Sequence, residues 1–413
     1  MSPRVGVFHP GTQHSWQTAL SMQEGAQLSW YATSIFYDPA KWPYRVERLL
    51  PARVAQRAHG AFLRRYIPQL DSTKVRQLGL WGWIAGALNA LPGDAWSAST
   101  VYRWNRAFGR QVIDLTEREP VDILWGYDSA SLEVFRWAKR RGIFCVLDRT
   151  IGHGKTANRI LGEEFARHPE FFASPFVPKP QRLLDEEQEE MELADLIVVG
   201  SPFCAETLIE NGCPSAKVRI LGYGYDESLF PAVPPRREIA EDGPIDFLFV
   251  GNLAPRKGIA YLLEAFGEIP ASLASLTLVG RKSIPARIFE RYSKRVRHLP
   301  TVSRKAVINY FCRAECFIFP SLFEGSALVL REITGAGLGA VHTAAAGLGV
   351  TGGVNGRLIE PASVEAIVGA VTTLAGDRGR IARWQRASWE DRGACTWARY
   401  RVAARDLLAA TFH

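Results

Sequence analysis

Two glutamates, Glu324 and Glu332, have the residue type and the spacing to bind a ligand that carries hydroxyl groups at both ends. The pattern predicts an apolar strand, a Pro-Ser corner, a turn of small residues and then a helix. Since a helix rises about 1.5 Å per residue, two carboxylates eight residues apart on a helix would lie roughly 12 Å apart. That is too far to share a proton, and exceeds the roughly 5–9.5 Å between the paired carboxylates of a glycosidase. A nucleotide sugar, with sugar hydroxyls, a diphosphate and a ribose diol, suits this spacing.

The run from Phe319 to Glu332 also carries a family resemblance. With its Phe-Pro-Ser corner and its Glu-x7-Glu spacing, it resembles the retaining glycosyltransferases of family 4. The resemblance implies the α/β GT-B fold, in which two Rossmann-like parallel α/β domains face each other across a cleft. It also implies that Glu324 contacts the donor sugar and Glu332 the ribose hydroxyls of a nucleotide-sugar donor. The alternative is a pair of solvated helix glutamates, the commonest environment of Glu.

A turn of small residues lies between the two glutamates. The N–H groups of Gly325, Ser326 and Ala327 are predicted to open the helix there, at a position where an anion is favoured. Leu328, the next residue, completes the predicted donor-binding loop.

Arg256 and Lys257 stand in front of a second predicted helix, which starts at Ile259. The helix macrodipole opposes two cations at this end, and a bound diphosphate would remove the conflict. The resemblance places the family's phosphate-binding lysine on Lys257. The family's arginine, a few residues earlier, is replaced by Asn252, and Arg256 is its candidate substitute. The alternative is a solvated basic loop.

No Asp-x-Asp metal motif occurs in the chain, so neither a metal nor a cofactor is expected. Lys257, Arg256 and the helix N-terminus would instead neutralise the departing nucleoside diphosphate. The resemblance implies that no side-chain nucleophile is needed, because a donor phosphate oxygen takes the acceptor proton. The predicted catalytic residues are His153, Lys257 and Glu324.

The acceptor side is expected in the first half of the chain, in loops that follow predicted strands, because ligands of open α/β sheets lie beyond the carboxyl ends of the strands. Gly11 follows the first strand and allows close backbone approach to a donor phosphate or sugar. His14 and Asp128 are acceptor-side candidates, although Asp128 is equally suited to cap a helix. Ile151-Gly152-His153 resembles the family's histidine near the reacting sugar, although a lone histidine is more often structural.

The composition bounds the class of protein. The chain has 413 residues and is 47% hydrophobic, which is enough to bury two cores. Its net charge of +8 suits an anionic partner. No nucleic-acid-binding pattern occurs, so no nucleic-acid partner is expected. No apolar run of about eighteen residues and no signal-peptide core is present, so a cytoplasmic location is expected. The six cysteines form no C-x-x-C pair and are expected to be reduced thiols.

Strands alternate with helices along the chain, which predicts two parallel α/β domains. The predicted strands are residues 4–8, 28–36, 123–126, 143–147, 196–199 and 217–221 in a first series, and 245–250, 275–279, 296–299, 316–319, 339–342 and 357–359 in a second. The expected domains are residues 1–228 on the acceptor side and 241–393 for nucleotide-sugar binding. A linker at 229–240 joins them, and a C-terminal helix at 394–413 packs back on the first domain.

An insert at residues 42–95 holds the arginine-rich stretch Tyr44–Tyr66 and the aromatic stretch around Trp81–Trp83. Together they predict peripheral contact with an anionic membrane surface. The alternative is a charged outer face over an ordinary core.

The patterns together predict a retaining, metal-independent glycosyltransferase that moves a sugar from a nucleotide-sugar donor to a glycan, lipid-linked or other hydroxyl acceptor. One alternative is a nucleotide-sugar epimerase of the same fold. Another is a non-catalytic nucleotide-sugar-binding subunit. Two departures from the family's pattern are compatible with this last hypothesis. Asn252 replaces an arginine, and Ser326-Ala327 stands where the family commonly has an aromatic residue and a glycine.

Overall fold

The computed structural model describes residues 2–11, 13–38, 66–78, 98–235 and 243–412. The segments predicted to contact a membrane, Tyr44–Tyr66 and Trp81–Trp83, lie outside these ranges except for Tyr66, and so does part of the predicted linker. Within the described ranges, none of the helices combines the length and the apolar composition needed to cross a membrane.

The first sheet has seven strands in the order β3-β2-β1-β4-β5-β6-β7. The strands are Val5–Phe8 (β1), Leu28–Thr33 (β2), Val75–Gln77 (β3), Ile123–Tyr127 (β4), Phe144–Arg149 (β5), Leu196–Val199 (β6) and Val218–Ile220 (β7). β1 pairs in parallel with β2 and β4, β2 with β3, and β4 with β5. Six of these strands match predicted ones to within three residues. β3 was not predicted, because its three residues form no apolar run.

The second sheet has six strands in the order β10-β9-β8-β11-β12-β13, and all its pairs are parallel. The strands are Ile245–Val250 (β8), Ala274–Val279 (β9), Arg297–Leu299 (β10), Cys316–Phe319 (β11), Ala340–Thr343 (β12) and Gly356–Ile359 (β13). In both sheets, successive strands are added on one side of the first strand and then on its other side. The order therefore reverses between β1 and β4 and between β8 and β11. Rossmann-type sheets bind ligands beyond the carboxyl ends of the strands at this point.

In the described ranges, helices form most of the connections between successive strands, as is usual for parallel sheets. In the described ranges they are Ser15–Glu24 (α1), Ala98–Arg118 (α2), Leu132–Lys139 (α3), Gly154–Arg167 (α4), Gln181–Leu193 (α5), Pro202–Glu210 (α6), Ile259–Glu268 (α7), Ala286–Glu290 (α8), Arg304–Arg313 (α9), Leu328–Gly335 (α10), Val364–Gly376 (α11), Arg378–Asp391 (α12) and Trp397–Thr411 (α13). Gly335 and Gly337 lie in a helix-to-strand turn. α10 ends at Gly335, and Gly337 has a φ of 65° before β12.

The core of the second sheet is built mainly from phenylalanine and aliphatic residues. Phe249 of β8 and Phe319 of β11 stack with their ring centroids 5.3 Å apart, and both are buried. Since the carboxyl ends of these two strands carry the loops at the change of direction, this packing holds both loops in place.

By its internal contacts the chain forms two compact units. One comprises Met1–Arg149, Asp185–Val198 and Arg401–His413, and the other comprises Thr150–Leu184 and Val199–Tyr400. Within the first unit, Arg401 and Arg405 of α13 form ion pairs with Glu24 of α1 at 2.7 and 2.8 Å. The predicted domain boundaries, 1–228, 229–240 and 241–393 with 394–413, stay predictions.

Candidate functional site

Glu324 lies in the loop between β11 and α10 and pairs with two cations. Arg256 Nη1 is 2.8 Å from Oε2, and Lys257 Nζ pairs with Oε1. Ser321 Oγ donates a hydrogen bond of 3.0 Å to Oε1. Lys257 Nζ also lies 4.8 Å from the centroid of the Phe319 ring. One carboxylate thus faces two cations, and the cluster keeps a surplus positive charge.

Burial and charge compete at this cluster. Glu324 is only 8% exposed, and burial opposes its ionisation, but the Lys257 and Arg256 cations outweigh burial and hold the pKa of Glu324 below its usual range. Burial lowers the pKa of Lys257, and the neighbouring Arg256 adds to this, while Glu324 opposes it. The three groups therefore form an ion cluster in which an added anion would relieve the repulsion between the cations.

A left-handed glycine places the two cations. Residues Pro255–Lys257 form a single 3-10 turn that ends at Gly258, which has a φ of 68°. A Cβ at Gly258 would overlap the carbonyl oxygen of Pro320, so the loop after β8 lies directly against the loop after β11. The Leu322 N–H donates to the Arg256 carbonyl at 2.9 Å and joins the same two loops.

The helix that carries Glu332 begins later than expected. α10 starts at Leu328 with Ala327 as its N-cap, so Glu324 lies before the helix and the helical spacing expected for the two carboxylates was wrong. The Ala327 N–H donates to Ala346 O at 2.8 Å, a contact between loops that sequence periodicity does not reveal. The N–H groups of Gly325 and Ser326 thus precede the helix rather than open it.

Gly325 is a site of close backbone approach. A Cβ there would overlap the carbonyl oxygen of Thr150 and approach Ile151. Ser201 Oγ donates to the Gly325 carbonyl. The loop that leads to His153 therefore lies against the turn that follows Glu324.

Ser326 contributes a buried hydroxyl. Ser326 is 9% exposed, and its Oγ has no hydrogen-bond partner among the described residues. A Cβ at Gly200 or at Gly347 would come within 3 Å of Ser326 atoms, so both glycines leave room for this side chain. An unpaired buried hydroxyl is destabilising by about 1–3 kcal/mol, which a hydroxyl-bearing ligand would offset.

Glu332 lies on α10, where its side chain is 20% exposed and Oε1 accepts from Arg304 Nη2 at 2.9 Å. Burial raises the pKa of Glu332, and Arg304 opposes the rise. The alternative of a freely solvated helix glutamate therefore does not describe either Glu324 or Glu332.

His153 is fully buried and is the N-cap of α4. Its Nδ1 accepts from the Lys155 N–H at 3.1 Å, and its own N–H donates to Thr207 Oγ1 at 3.0 Å. The residue thus has a structural role in starting a helix, whatever else it does.

A second polar cluster lies at the carboxyl ends of β1, β4 and β5. His14 Nε2 is 3.0 Å from Asp148 Oδ2, and both residues are buried. The Gly11 N–H donates to His9 Nδ1 at 3.1 Å. Asp128 follows β4, and its N–H donates to Asp148 O at 3.1 Å. This brings the predicted residues Gly11, His14 and Asp128 to one end of the first sheet.

Asp128 does not cap a helix, which was the alternative to its ligand role. The N-cap of α3 is Ser131. Between them, Ser129 has a φ of 65°, a left-handed conformation that is uncommon without glycine. The buried Glu190 accepts from the N–H groups of Ser129 and Ser131 at 3.0 and 2.8 Å and holds this turn. Burial raises the pKa of Glu190 to about 7, with Arg149 opposing the rise.

Sequence reasoning missed several residues that shape both clusters. They are Ser201 and Ser321 beside the Glu324 turn, Arg304 beside Glu332, and Asp148 and Glu190 in the first sheet. Asp148 had the best signal, since it directly follows the predicted strand at residues 143–147. The others depend on which loops meet. In the described part of the chain, no three His, Cys, Asp or Glu side chains are grouped so that they could hold a metal ion.

Comparison with known proteins finds a family match in the region of the second sheet. Residues 244–377 match the family model described as glycosyl transferases group 1. A D-inositol 3-phosphate glycosyltransferase from Xylanimonas cellulosilytica is 26% identical over 248 residues, covering 53% of this chain and 59% of the relative. Curated relatives with this name are matched over little more than half of their length.

Two solved structures cover nearly the whole chain. Sucrose-phosphate synthase from Thermosynechococcus elongatus has a TM-score of 0.69 and 18% identity, with 99% of each chain covered. The HepE protein of Anabaena, solved in complex with UDP and glucose, has a TM-score of 0.60 and 13% identity, with 99% of this chain and 100% of its own covered. The chain therefore has the GT-B fold of two Rossmann-like domains, and the match of residues 244–377 to the glycosyl transferases group 1 model agrees with the resemblance drawn from Glu324 and Glu332.

Proposed function

We propose that the protein is a retaining glycosyltransferase that uses a nucleotide-sugar donor and needs no metal. The observation that carries the proposal is the ion cluster of Glu324 with Arg256 and Lys257, at the carboxyl ends of β8 and β11. A carboxylate suited to sugar hydroxyls and two cations suited to phosphate lie within ion-pair distance of each other. A sugar joined to a diphosphate needs both at once.

Each part of the donor has a candidate partner in the second unit. Glu324 and the buried Ser326 hydroxyl would bind the sugar, while Lys257 and Arg256 would bind the diphosphate beside the N–H groups of the Gly325 turn. Glu332 would accept hydrogen bonds from the ribose hydroxyls by exchanging its contact with Arg304. UDP is the first nucleotide to test, because HepE was solved with UDP and glucose.

The chemistry follows from these roles. The bond between the anomeric carbon and the leaving phosphate oxygen breaks, and the negative charge that develops on the diphosphate lies next to Lys257 and Arg256. A donor phosphate oxygen takes the proton of the acceptor hydroxyl, which attacks the same face of the sugar. This scheme requires no side-chain nucleophile and no cofactor.

The acceptor is assigned to His14 and Asp128 in the polar cluster of the first unit, and Gly11 in the same cluster is assigned to the donor. The buried histidines and carboxylates of this cluster suit hydroxyl groups of a glycan, a lipid-linked sugar or another acceptor. The expected cytoplasmic location, with peripheral contact to an anionic membrane, stays a prediction.

A panel of nucleotide sugars tests the proposal. We expect one donor to raise the melting temperature of the protein and to release its nucleoside diphosphate. Stabilisation without any release, even with hydroxyl acceptors present, would favour a non-catalytic binding subunit. Failure of every nucleotide to stabilise the protein would contradict the proposal.

Lys257→Ala is the sharpest variant for the assigned chemistry. Loss of one group that stabilises the leaving charge should lower the transfer rate roughly 10²–10³-fold. Lys139→Ala is the matched control, because Lys139 forms a partly exposed ion pair with Asp195 in the first unit. Equal initial rates of nucleoside diphosphate release for wild type and Lys257→Ala would exclude Lys257 from the site.

A further inference from the structure

Positive charge is concentrated in one segment of the second unit. Residues 281–305 contain nine lysines and arginines and a single acidic residue, Glu290. The excess of eight in this segment equals the net charge of the whole chain, +8. This segment of the second unit therefore carries a local excess of positive charge, as the arginine-rich stretch Tyr44–Tyr66 does in the first part of the chain.

Part of this segment lines a cavity of about 570 Å³. One side is formed by β8, β9 and β10, and another by the end of α9. The lining consists of Asp246, Phe247, Leu248, Ser275, Leu276, Thr277, Lys294, Arg295, Val296, Arg297, Tyr310, Arg313 and Ala314. Four cations and one carboxylate thus surround a space of the size that small-molecule sites have, roughly 300–1,000 Å³.

The sheet face at this cavity has an unusual sequence. Strands of parallel sheets are normally covered on both faces and read as apolar runs. β9 instead alternates as Ala-Ser-Leu-Thr-Leu-Val, with Leu276 and Leu278 buried and Ser275 and Thr277 half-buried. In register, Ser275 lies beside Asp246 of β8, and Thr277 lies beside Arg297 of β10. The polar residues therefore form one continuous floor, which helix packing leaves open.

The cations of the lining lack counter-charges. Lys294, Arg295, Arg297 and Arg313 form no ion pair with any described residue. Arg295 is held in place, because its Nη2 donates to Ile269 O at 2.5 Å. The one carboxylate, Asp246, pairs with Ser275 Oγ rather than with a cation. Four uncompensated cations around one cavity repel each other, and an anion between them would remove this repulsion.

We propose that this cavity binds a phosphate-bearing ligand. Arginine side chains hold phosphate through paired N–H groups, and the Ser275 and Thr277 hydroxyls add neutral donors. The cavity is separate from the donor site, because Asp246 lies five residues before Gly251, about 16 Å along the strand at its usual rise. The proposal does not depend on the proposed transferase activity.

Titration with inorganic pyrophosphate tests the proposal, and the donor cluster of Glu324, Arg256 and Lys257 stays unchanged in all the proteins compared, so that any difference between them arises from the substituted arginines. The test variant is Arg297→Gln with Arg313→Gln. The matched control is Arg287→Gln with Arg291→Gln, which removes the same charge from exposed positions of the same basic segment outside the lining. We expect pyrophosphate to bind wild type and control alike, and the test variant at least tenfold more weakly.

Vesicles distinguish a soluble ligand from a lipid headgroup. Phosphatidylglycerol vesicles are compared with phosphatidylcholine vesicles for the same three proteins. Loss of vesicle binding in the test variant alone identifies a lipid headgroup as the source of the phosphate, and loss of pyrophosphate binding alone identifies a soluble one. The proposal is overturned if neither probe distinguishes the test variant from the control, because the effect of the cations would then be general charge attraction. Melting curves of the variants confirm that these exposed substitutions leave the fold intact.

Discussion

Two opposing effects determine whether the carboxyl group of Glu324 is ionised. Burial favours the neutral form, while Lys257 and Arg256 favour the ionised form and prevail. Removing one cation leaves the other in place, so Lys257→Ala should weaken catalysis without leaving Glu324 unpaired. Removing Glu324 would leave two half-buried cations facing each other, which is a far less interpretable experiment.

Substitution of Glu332 tests the binding of the nucleotide independently of the binding of the sugar. Glu332→Ala should weaken binding of the nucleoside diphosphate by roughly 1.5–3 kcal/mol, whichever sugar is attached, because the ribose hydroxyls lose a charged acceptor. Calorimetry with UDP measures this directly. Arg304→Ala is the control, since it removes the present partner of Glu332 and keeps the acceptor. Unchanged affinity in Glu332→Ala would remove this residue from the site.

Among the elements, α4 depends on an unusual cap. The side chain of His153 accepts from the Lys155 N–H, a role that Ser, Thr, Asp and Asn fill in most helices. Replacement by alanine therefore mixes two effects, the loss of an N-cap of about 0.5–2 kcal/mol and the loss of any contact with the reacting sugar.

His153→Asn separates these two effects. Asparagine keeps an acceptor for the Lys155 N–H, so the melting temperature should stay close to that of the wild type. If His153 acts on the reacting sugar, kcat should fall strongly while the affinity for the nucleoside diphosphate stays nearly intact. Wild-type kcat in His153→Asn together with early melting of His153→Ala would make the residue structural only, and His14 would be tested next.

The turn between β4 and α3 depends on Glu190 of α5, and its stability should depend on pH. Glu190 has a pKa of about 7 in the folded protein, above its ordinary value of 4.5. Its contribution to stability is therefore fully present below about pH 4.5 and is lost as the pH rises through 7, by about 3 kcal/mol in all. We expect denaturant unfolding to show a larger drop in free energy from pH 5 to pH 8 for wild type than for Glu190→Gln. Parallel pH profiles would mean that Glu190 ionises normally.

At the scale of the whole molecule, the two sheets repeat one strand order and place their polar clusters at equivalent ends. The second sheet lies in the part of the chain that matches the glycosyl transferases group 1 model, and its cations cluster at the carboxyl ends of β8 and β11. Charge neutralisation of a leaving diphosphate can be supplied by a metal or by side chains.

Chelation tests which of these operates. We expect the transfer rate to be unchanged by EDTA, because Lys257 and Arg256 supply the positive charge. The measurement compares initial rates of nucleoside diphosphate release with and without EDTA, and then with added magnesium or manganese. Complete loss of activity that either metal restores would show that the side chains are insufficient.

The sequence alone determined the elements and the residue types of the site. Apolar runs at β6, β8 and β11 predicted these strands to the residue, because strands packed mainly among apolar residues leave a local pattern. The start of a helix at Ile259, directly after Arg256 and Lys257, was also predicted. The order of the strands along the sequence did not indicate which loops would meet. The short strand β3 was not predicted at all.

Only the tertiary structure decided how those residues combine. Glu324 and the cations are 67 and 68 positions apart in the chain, and they meet because β8 and β11 are neighbours in the sheet. The late start of α10, the contact of Ser201 with Gly325 and the open polar floor of the basic cavity arise in the same way. Ion pairs and close backbone approaches depend on which strands lie side by side. Local periodicity in the sequence does not indicate which strands these are.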